Sequence, residues 1–192
     1  MKKLSGFAVA GLVILGLFLL IGFWGVGCYN GLVSLKESVN TQFSNVDVQL
    51  QRRSDLIPNI VNTVKGYTDH EANVLNQLSD SRAKLAGAST VSEKAAADSE
   101  MSSAISRLLV VVENYPTLKA DTQFTSLMDN LEGTENRIAV ARKDYNDAAQ
   151  KYNQEIKKFP GVIVASMTGF ESASLFQASE GASKVPEVNF NK

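Results

Sequence analysis

His70 and Glu71 form the first half of a zinc-binding motif, and no other pattern in this sequence comes nearer to a catalytic one. A metalloprotease helix carries a second histidine four residues after the first, because both imidazoles must reach the same ion. Position 74 is Val74, and the chain contains 1 His in total. We therefore interpret His70 as a surface or helix-end residue and predict no zinc site.

Nucleophilic catalysis lacks its residues as well. A serine or cysteine nucleophile needs a general base, which here would have to be His70, and Cys28 lies in an apolar stretch. The sequence has neither a GxxxxGKS/T nor a GxGxxG loop for phosphates. We predict that the protein is not an enzyme and that it has no catalytic, cofactor-binding or metal-binding residues.

Charged residues cluster between positions 121 and 144. On a helix, Asp129, Glu132 and Glu135 would lie near one another and could bind a divalent cation with oxygens from a neighbouring helix. No Glu-x-x-His pair accompanies them, so ion pairs between helices or a solvated face are the favoured interpretation. The cluster comprises Asp121, Asp129, Glu132, Glu135, Arg137, Arg142 and Asp144. Its candidate partners on an earlier helix are Asp47, Arg52, Arg53 and Asp55.

The overall charge excludes some partners. The net charge is −1, from 19 Lys plus Arg and 20 Asp plus Glu, whereas a nucleic-acid-binding protein shows a concentrated basic excess. We predict no nucleic-acid partner. The single Cys excludes an intramolecular disulfide and a thiolate zinc cluster. Lys2 and Lys3 are the only charged side chains before Lys36, so the acidic excess belongs to the rest of the chain.

The uncharged N-terminal region is long enough to cross a membrane. The 22 residues of positions 7–28 would span roughly 33 Å as a helix, against about 30 Å for a hydrocarbon core. Trp24 and Tyr29 fall where aromatic rings favour the interface. A cleaved signal peptide and a lipidated Cys28 are the alternatives, but the run is long for a signal and Gly25 does not suit a lipidation site. We predict a membrane anchor over residues 1–28, in contact with the bilayer through residues 7–28.

Positive charge beside the span predicts its orientation. Lys2 and Lys3 precede it directly, whereas Lys36 on the other side is followed by Glu37. We expect a single membrane span, with the N-terminus in the cytoplasm and the body outside, across the membrane.

Apolar residues then recur every three or four positions, which is typical of amphipathic helices. A first stripe begins at Leu32 and runs to Leu50, and it resumes at Ile57. Because Pro58 disfavours a helix at Ile57, we expect a kink or a restart there, with Asp55 as the cap. Later helices are predicted up to a break at 86–89, from Ser92 to Val112, and from about Asp121 to Phe159. A short helix is predicted around Ser172–Ala178. The first stripe is Leu32, Leu35, Val39, Phe43, Val46 and Leu50, continued by Ile57, Ile60, Val64 and Tyr67.

These elements predict an all-α protein. The transmembrane helix would continue into a long antiparallel helix bundle of about four helices over residues 29–180, and residues 181–192 would form a flexible tail. Phe124, Tyr145, Tyr152 and Phe159 are interpreted as core, although an outward partner-binding face is the alternative. Gly133, inside a helix, would permit another helix to approach closely.

Several blocks of the sequence resemble the LemA family, in the expected order and over about residues 29–190. The blocks are YNGLVSLKE (29–37), FSNVDVQLQRR (43–53), DLIPN (55–59), VKGY (64–67), ENYP (113–116) and LEGTENRI (131–138), followed by Tyr145-Asn146, Tyr152-Asn153, Phe159-Pro160 and Gly169-Phe170. The resemblance implies a bacterial, single-pass helical bundle anchored in the inner (cytoplasmic) membrane, without an established catalytic activity. Residues 86–106 and the tail after Gly181 are least like the family.

Two functions remain open after these exclusions. The favoured one is a structural or interaction scaffold of the envelope, bound to unidentified envelope or membrane proteins or to copies of itself as a homo-oligomer. The alternative is an extracytoplasmic ligand- or stress-sensing module. A sensor of that kind would have to signal through a membrane partner, because we expect only about six cytoplasmic residues here.

Overall fold

A computed structural model describes residues 6–67 and 71–177, so His70, Lys2, Lys3 and the predicted tail lie outside the described residues. Within these ranges the chain forms α-helices and no β-strand. The helices are α1 (Gly6–Lys65), α2 (Ala72–Gly87), α3 (Val91–Val112), α4 (Pro116–Lys119), α5 (Thr122–Glu155) and α6 (Gly161–Thr168). Four of them are long, so the predicted all-α fold with about four principal helices is confirmed.

The contacts divide the chain into two compact units. Unit 1 contains the residues up to Thr41 together with Asp147–Ala173, and unit 2 contains Gln42–Asn146 together with the residues from Ser174 onward. Most members of the predicted stripe on α1 are buried, whereas Leu35 and Phe43 are half-buried and Tyr67 is 42% exposed. In unit 1 the buried members are Leu32 and Val39. In unit 2 they are Val46, Leu50, Ile57, Ile60 and Val64.

Helix α1 continues through Pro58, so the predicted restart is wrong. A proline removes the N–H that would bind the carbonyl four residues earlier, which here belongs to Ser54. The guanidinium Nε of Arg82, on α2, donates to that carbonyl at 3.2 Å. The buried Ile57 and Ile60 hold the helix on the core on both sides of the proline. The orphaned acceptor is therefore satisfied from another helix, and α1 has no need to end.

Replacing Arg82 with methionine should therefore lower the free energy of unfolding by about 1 kcal/mol, because the Ser54 carbonyl loses its donor. The Pro58→Ala variant restores a backbone N–H at position 58. The cost of Arg82→Met should be smaller in that background than in the wild type. Urea unfolding of all four chains of this cycle, followed by circular dichroism, measures the difference. Equal costs in the two backgrounds would contradict the compensation.

Helix α3 begins with a capping box. The Thr90 hydroxyl accepts the N–H of Glu93 at 3.2 Å, and the Glu93 carboxylate accepts the N–H of Thr90 at 3.0 Å. The backbone N–H groups of Ser89 and Thr90 lower the pKa of Glu93 to about 2. Helix α5 begins in a related way, since Asp121 accepts the N–H of Phe124 at 2.8 Å, which lowers the pKa of Asp121.

Two boundaries near the C-terminus differ from the prediction. Helix α5 ends at Glu155, and the chain turns before Pro160, which leaves Phe159 75% exposed and not in the core. The short helix is α6, and residues 171–177 are not helical, so the helix predicted around Ser172–Ala178 is wrong over the part that the structure describes. Their backbone groups bind side chains of α5 instead of one another, as described below.

Candidate functional site

A buried charge network in unit 2 joins three helices. Arg53 on α1 donates through Nη1 to Asp98 Oδ1 of α3 at 2.7 Å, and its Nη2 donates to the Ser102 hydroxyl at 2.9 Å. The same Nη1 lies 3.0 Å from a carboxylate oxygen of Glu135 on α5. Arg53 and Asp98 are each 2% exposed. Such a pair fixes how helices meet, because breaking it leaves a charge inside the protein.

A second arginine completes the network from the other side of Asp98. Arg142, two helical turns after Glu135 on α5, lies 3.3 Å from the second carboxylate oxygen of Asp98. Its Nη2 donates to the Gln177 carbonyl at 2.9 Å, and its guanidinium lies 5.2 Å from the centre of the Phe176 ring. The buried carboxylate is therefore neutralised by two guanidinium groups. This arrangement holds the charges in place and pairs both oxygens of the Asp98 carboxylate with guanidinium groups.

The predicted pairs between helices are confirmed in one case. Arg53 meets Glu135, whereas Asp47 pairs with Lys94 of α3, and Asp55 accepts a hydrogen bond from Gln51 within α1. The sequence reasoning missed Asp98. Its signal was present, because Asp98 falls on the apolar stripe of α3, three residues before the buried Met101.

Side chains of α5 also hold the non-helical segment of residues 171–177. In unit 2, Asn146 donates to the Phe176 carbonyl and accepts the Phe176 N–H, both at 2.9 Å. The Tyr145 hydroxyl donates to the Ser174 carbonyl at 2.7 Å. The Phe176 ring is 6% exposed and packs edge-on against Tyr145 with centroids 5.3 Å apart. The Asn146 amide therefore forms hydrogen bonds with both backbone groups of Phe176, as a neighbouring β-strand would.

The same pattern recurs within unit 1, seven residues later on α5. Asn153 donates to the Ala173 carbonyl and accepts the Ala173 N–H, both at 2.8 Å. The Tyr152 hydroxyl donates to the Glu171 carbonyl at 2.9 Å. Burial raises the pKa of Tyr145 and of Tyr152. The prediction that both tyrosines belong to the core is confirmed, and their asparagine neighbours bind main chain.

A groove lies beside Arg53 in unit 2. It has a volume of about 530 Å³. Its apolar wall comprises Ile105, Leu109, Met128 and Leu131, and its polar wall comprises Arg53, Ser102, Ser106, Glu132 and Glu135. Arg53 Nε is buried and has no hydrogen-bond partner among the described residues. The groove thus offers one buried donor and an apolar wall to a small molecule.

The remaining sequence candidates are placed as follows. Cys28 is a free, half-buried thiol in the apolar part of α1. Among the described residues, no three His, Cys, Asp or Glu side chains are grouped so as to hold a metal ion. A Cβ placed on Gly133 would have no atom within 4 Å, so the predicted close approach of another helix at this glycine is wrong.

One helix among the described residues, α1, is long and apolar enough to cross a membrane, judged by length and composition. Its apolar side chains are exposed along the stretch from Leu12 to Trp24, each by half or more. Such exposure suits contact with lipid and would be costly in water.

Comparison with known proteins gives a family. The LemA family model matches residues 42–190. Magnetosome protein MamQ 2 of Paramagnetospirillum magneticum is 33% identical over 176 residues, which cover 78% of this chain and 64% of the relative. MamQ of Magnetospirillum gryphiswaldense is 28% identical, over 77% of this chain and 64% of the relative. Protein LemA of Metamycoplasma hominis is 24% identical, over 81% of this chain and 71% of the relative. The match thus spans less than two thirds of the length of the MamQ proteins. Because the family model matches most of the chain, this protein belongs to the LemA family.

Proposed function

We propose that the protein is a non-enzymatic, membrane-anchored scaffold that presents its helices to proteins of the bacterial envelope. The observation that carries this proposal is the continuity of α1. A single helix, Gly6–Lys65, contains both the apolar stretch of residues 7–28 and the buried stripe that begins at Leu32. The anchor and the helical core therefore share one element.

The charge network supports a structural role. Catalytic carboxylates need to reach a substrate, whereas Asp98 is held between Arg53 and Arg142. Exposed apolar side chains on several helices of unit 2 supply surfaces for partner proteins. They include Val48 on α1 at 61%, Val110 on α3 at 70% and Val140 on α5 at 59% exposure.

Site-specific photocrosslinking in living cells tests the scaffold. A photoreactive amino acid is placed at Val48, Val110 or Val140 in turn, and the products are separated by mass. We expect at least one position to give a discrete product with another protein or with a second copy of the chain. The same photoreactive amino acid at Ser92, an exposed polar position on α3, serves as the control. If all positions give only the monomer, the scaffold role is wrong.

A sensing function is the second candidate, and the groove beside Arg53 is the observation that favours it. Leu109, 45% exposed, lines this groove and is a suitable site for the same photoreactive residue. Intact-mass measurement distinguishes the functions. A mass increase of a few hundred daltons at Leu109 would support a small-molecule ligand, whereas a protein-sized increase would support the scaffold.

We further propose that the N-terminus is cytoplasmic and the body extracytoplasmic, on the basis of Lys2 and Lys3 before the span. A cysteine placed at the exposed Ser92, in a Cys28→Ser chain, tests this orientation. A membrane-impermeant maleimide should label it in intact spheroplasts as strongly as after lysis. Labelling that requires lysis would place the body in the cytoplasm. The same chain tests lipidation. If Cys28 is not lipidated, mass spectrometry should find the same N-terminus in the wild type and in Cys28→Ser.

A further inference from the structure

Helix α6 and Phe159, which precedes it by two residues, expose an uncharged apolar surface. Phe159 is 75% exposed and Met167 is 80% exposed, and Val162 and Ile163 are 42% and 49% exposed. Gly161 and Ala165 are the buried side of the helix. No charged residue occurs between Lys158 and Glu171. A surface of this kind in water is costly, and it marks an interaction site.

The position of this surface in unit 1 is fixed by aromatic contacts with α1. The Phe159 ring lies 6.2 Å from the Trp24 ring, centroid to centroid. At the other end of α6, Phe170 packs 5.7 Å from Tyr29 and lies beneath the Lys36 ammonium at 5.5 Å. Residues 159–170 therefore lie alongside the part of α1 from Trp24 to Lys36.

The anchor sets the depth of that part of α1. If Phe7 lies at one boundary of the hydrocarbon core, the 17 helical steps to Trp24 cover roughly 26 Å, so Trp24 lies near the opposite boundary of a core of about 30 Å. Tryptophan favours this interfacial level. Phe159 must then lie at the same level, and Lys36, the first cation after the span, marks the aqueous side.

Tight geometry keeps α6 at this place. A Cβ on Gly161 would lie 2.2 Å from the Glu155 carbonyl oxygen, so only glycine permits this turn onto the end of α5. Lys157 and Lys158 are exposed directly before Phe159. The Lys158 ammonium lies 3.3 Å from the Glu155 carboxylate, and Lys157 suits a lipid phosphate.

We propose that Phe159 and α6 form a second membrane contact, which lies in the interfacial layer of the leaflet that Trp24 reaches. Phe159, Val162, Ile163 and Met167 enter the boundary between headgroups and acyl chains, as the apolar face of an interfacial helix does. The inference rests on the proposed membrane anchor. A lipid surface is favoured over a protein partner because the apolar surface is continuous with the anchor through the Trp24–Phe159 contact.

Fluorescence quenching in vesicles tests the proposal on the full chain. Met167→Cys in a Cys28→Ser chain is labelled with an environment-sensitive nitrobenzoxadiazole dye and reconstituted into phosphatidylcholine–phosphatidylglycerol vesicles. Met167 is highly exposed, so the label should not disturb packing. We expect nitroxide lipids labelled near the glycerol to quench this dye several-fold more than the same dye on Ser92→Cys. Aqueous iodide should show the reverse order.

The chain contains 1 Trp, so the intrinsic fluorescence of Trp24 reports the anchor separately. Quenching of Trp24 by the nitroxide lipids, with a Met167 label that behaves like the Ser92 label, would overturn the second contact and leave the anchor intact. A Met167 label shielded from both lipid nitroxide and iodide would also overturn it, because a protein would then cover α6. Absence of Trp24 quenching would refute the anchor and this inference together.

Discussion

Replacing Asp98 with alanine is expected to lower the free energy of unfolding by about 3–5 kcal/mol, because it leaves Arg53 buried without its carboxylate. Among the described residues, Arg53 retains the Ser102 hydroxyl and the exposed Glu135 as partners. Arg142 loses the same carboxylate. Chemical unfolding of the purified chain, followed by circular dichroism, measures the loss. All variants must be unfolded in the same detergent, because the exposed apolar stretch of α1 requires one for solubility.

Asp80→Ala is the matched control, because Asp80 is an exposed aspartate on α2. A surface substitution of this kind changes stability by about 0.5 kcal/mol or less. The double variant Arg53→Met with Asp98→Leu removes both charges together. It should be markedly more stable than Asp98→Ala alone, because the fully buried Arg53 charge is removed together with its partner, whereas Arg142, whose side chain is 26% exposed, remains in reach of water. Equal losses for Asp98→Ala and Asp80→Ala would show that the network does not stabilise the helices.

Periodicity predicted the long helices because their apolar faces are regular. The stripe on α1 and the buried Phe124, Leu131, Ile138 and Tyr145 on α5 occupy the predicted spacing. The restart at Pro58 was wrong because the compensating donor, Arg82, lies on another helix. The residues around Pro58 in the sequence do not indicate that a donor from another helix will bind the Ser54 carbonyl. Likewise, the apolar ladder of α5 extends to Phe159 in the sequence, but the chain turns after Glu155.

The charge network was only partly predictable, although the stripes contain its signal. Arg53 lies three residues after Leu50 and four before Ile57, so it occupies a core position of α1. Asp98 and Arg142 occupy equivalent positions on α3 and α5. A charged residue at a core position must find a partner. Which charges meet is set by how the helices cross, and a single sequence does not specify that crossing.

A short helix was predicted around Ser172–Ala178, but residues 171–177 are not helical. A helix prediction assumes that the backbone groups of a segment bond to one another. Here the backbone of Phe176 bonds to the amide of Asn146, and that of Ala173 bonds to Asn153. The repeated Tyr-Asn pair, seven residues apart, was visible in the sequence. Its ability to replace backbone partners became evident only from the geometry.

Replacing Asn146 with alanine should release this segment in unit 2. Two hydrogen bonds to the Phe176 backbone are lost, at a cost of about 2 kcal/mol in local stability, which is roughly a 30-fold change in an opening equilibrium. Hydrogen–deuterium exchange of the peptide containing the Phe176 amide should accelerate by that order. Near-ultraviolet circular dichroism should change as well, because Phe176 leaves its contact with Tyr145.

Two further variants separate the hydrogen bonds from other effects. Asn146→Asp keeps an acceptor for the Phe176 N–H but sets a carboxylate oxygen against the Phe176 carbonyl, so it should release the segment about as well as alanine does. Asn130→Ala is the control, because the exposed Asn130 side chain donates within α5, to the Ser126 carbonyl at 2.7 Å. It should leave exchange at Phe176 unchanged. Protection that persists in both Asn146 variants would mean that burial of the Phe176 ring, and not the asparagine, holds the segment in place.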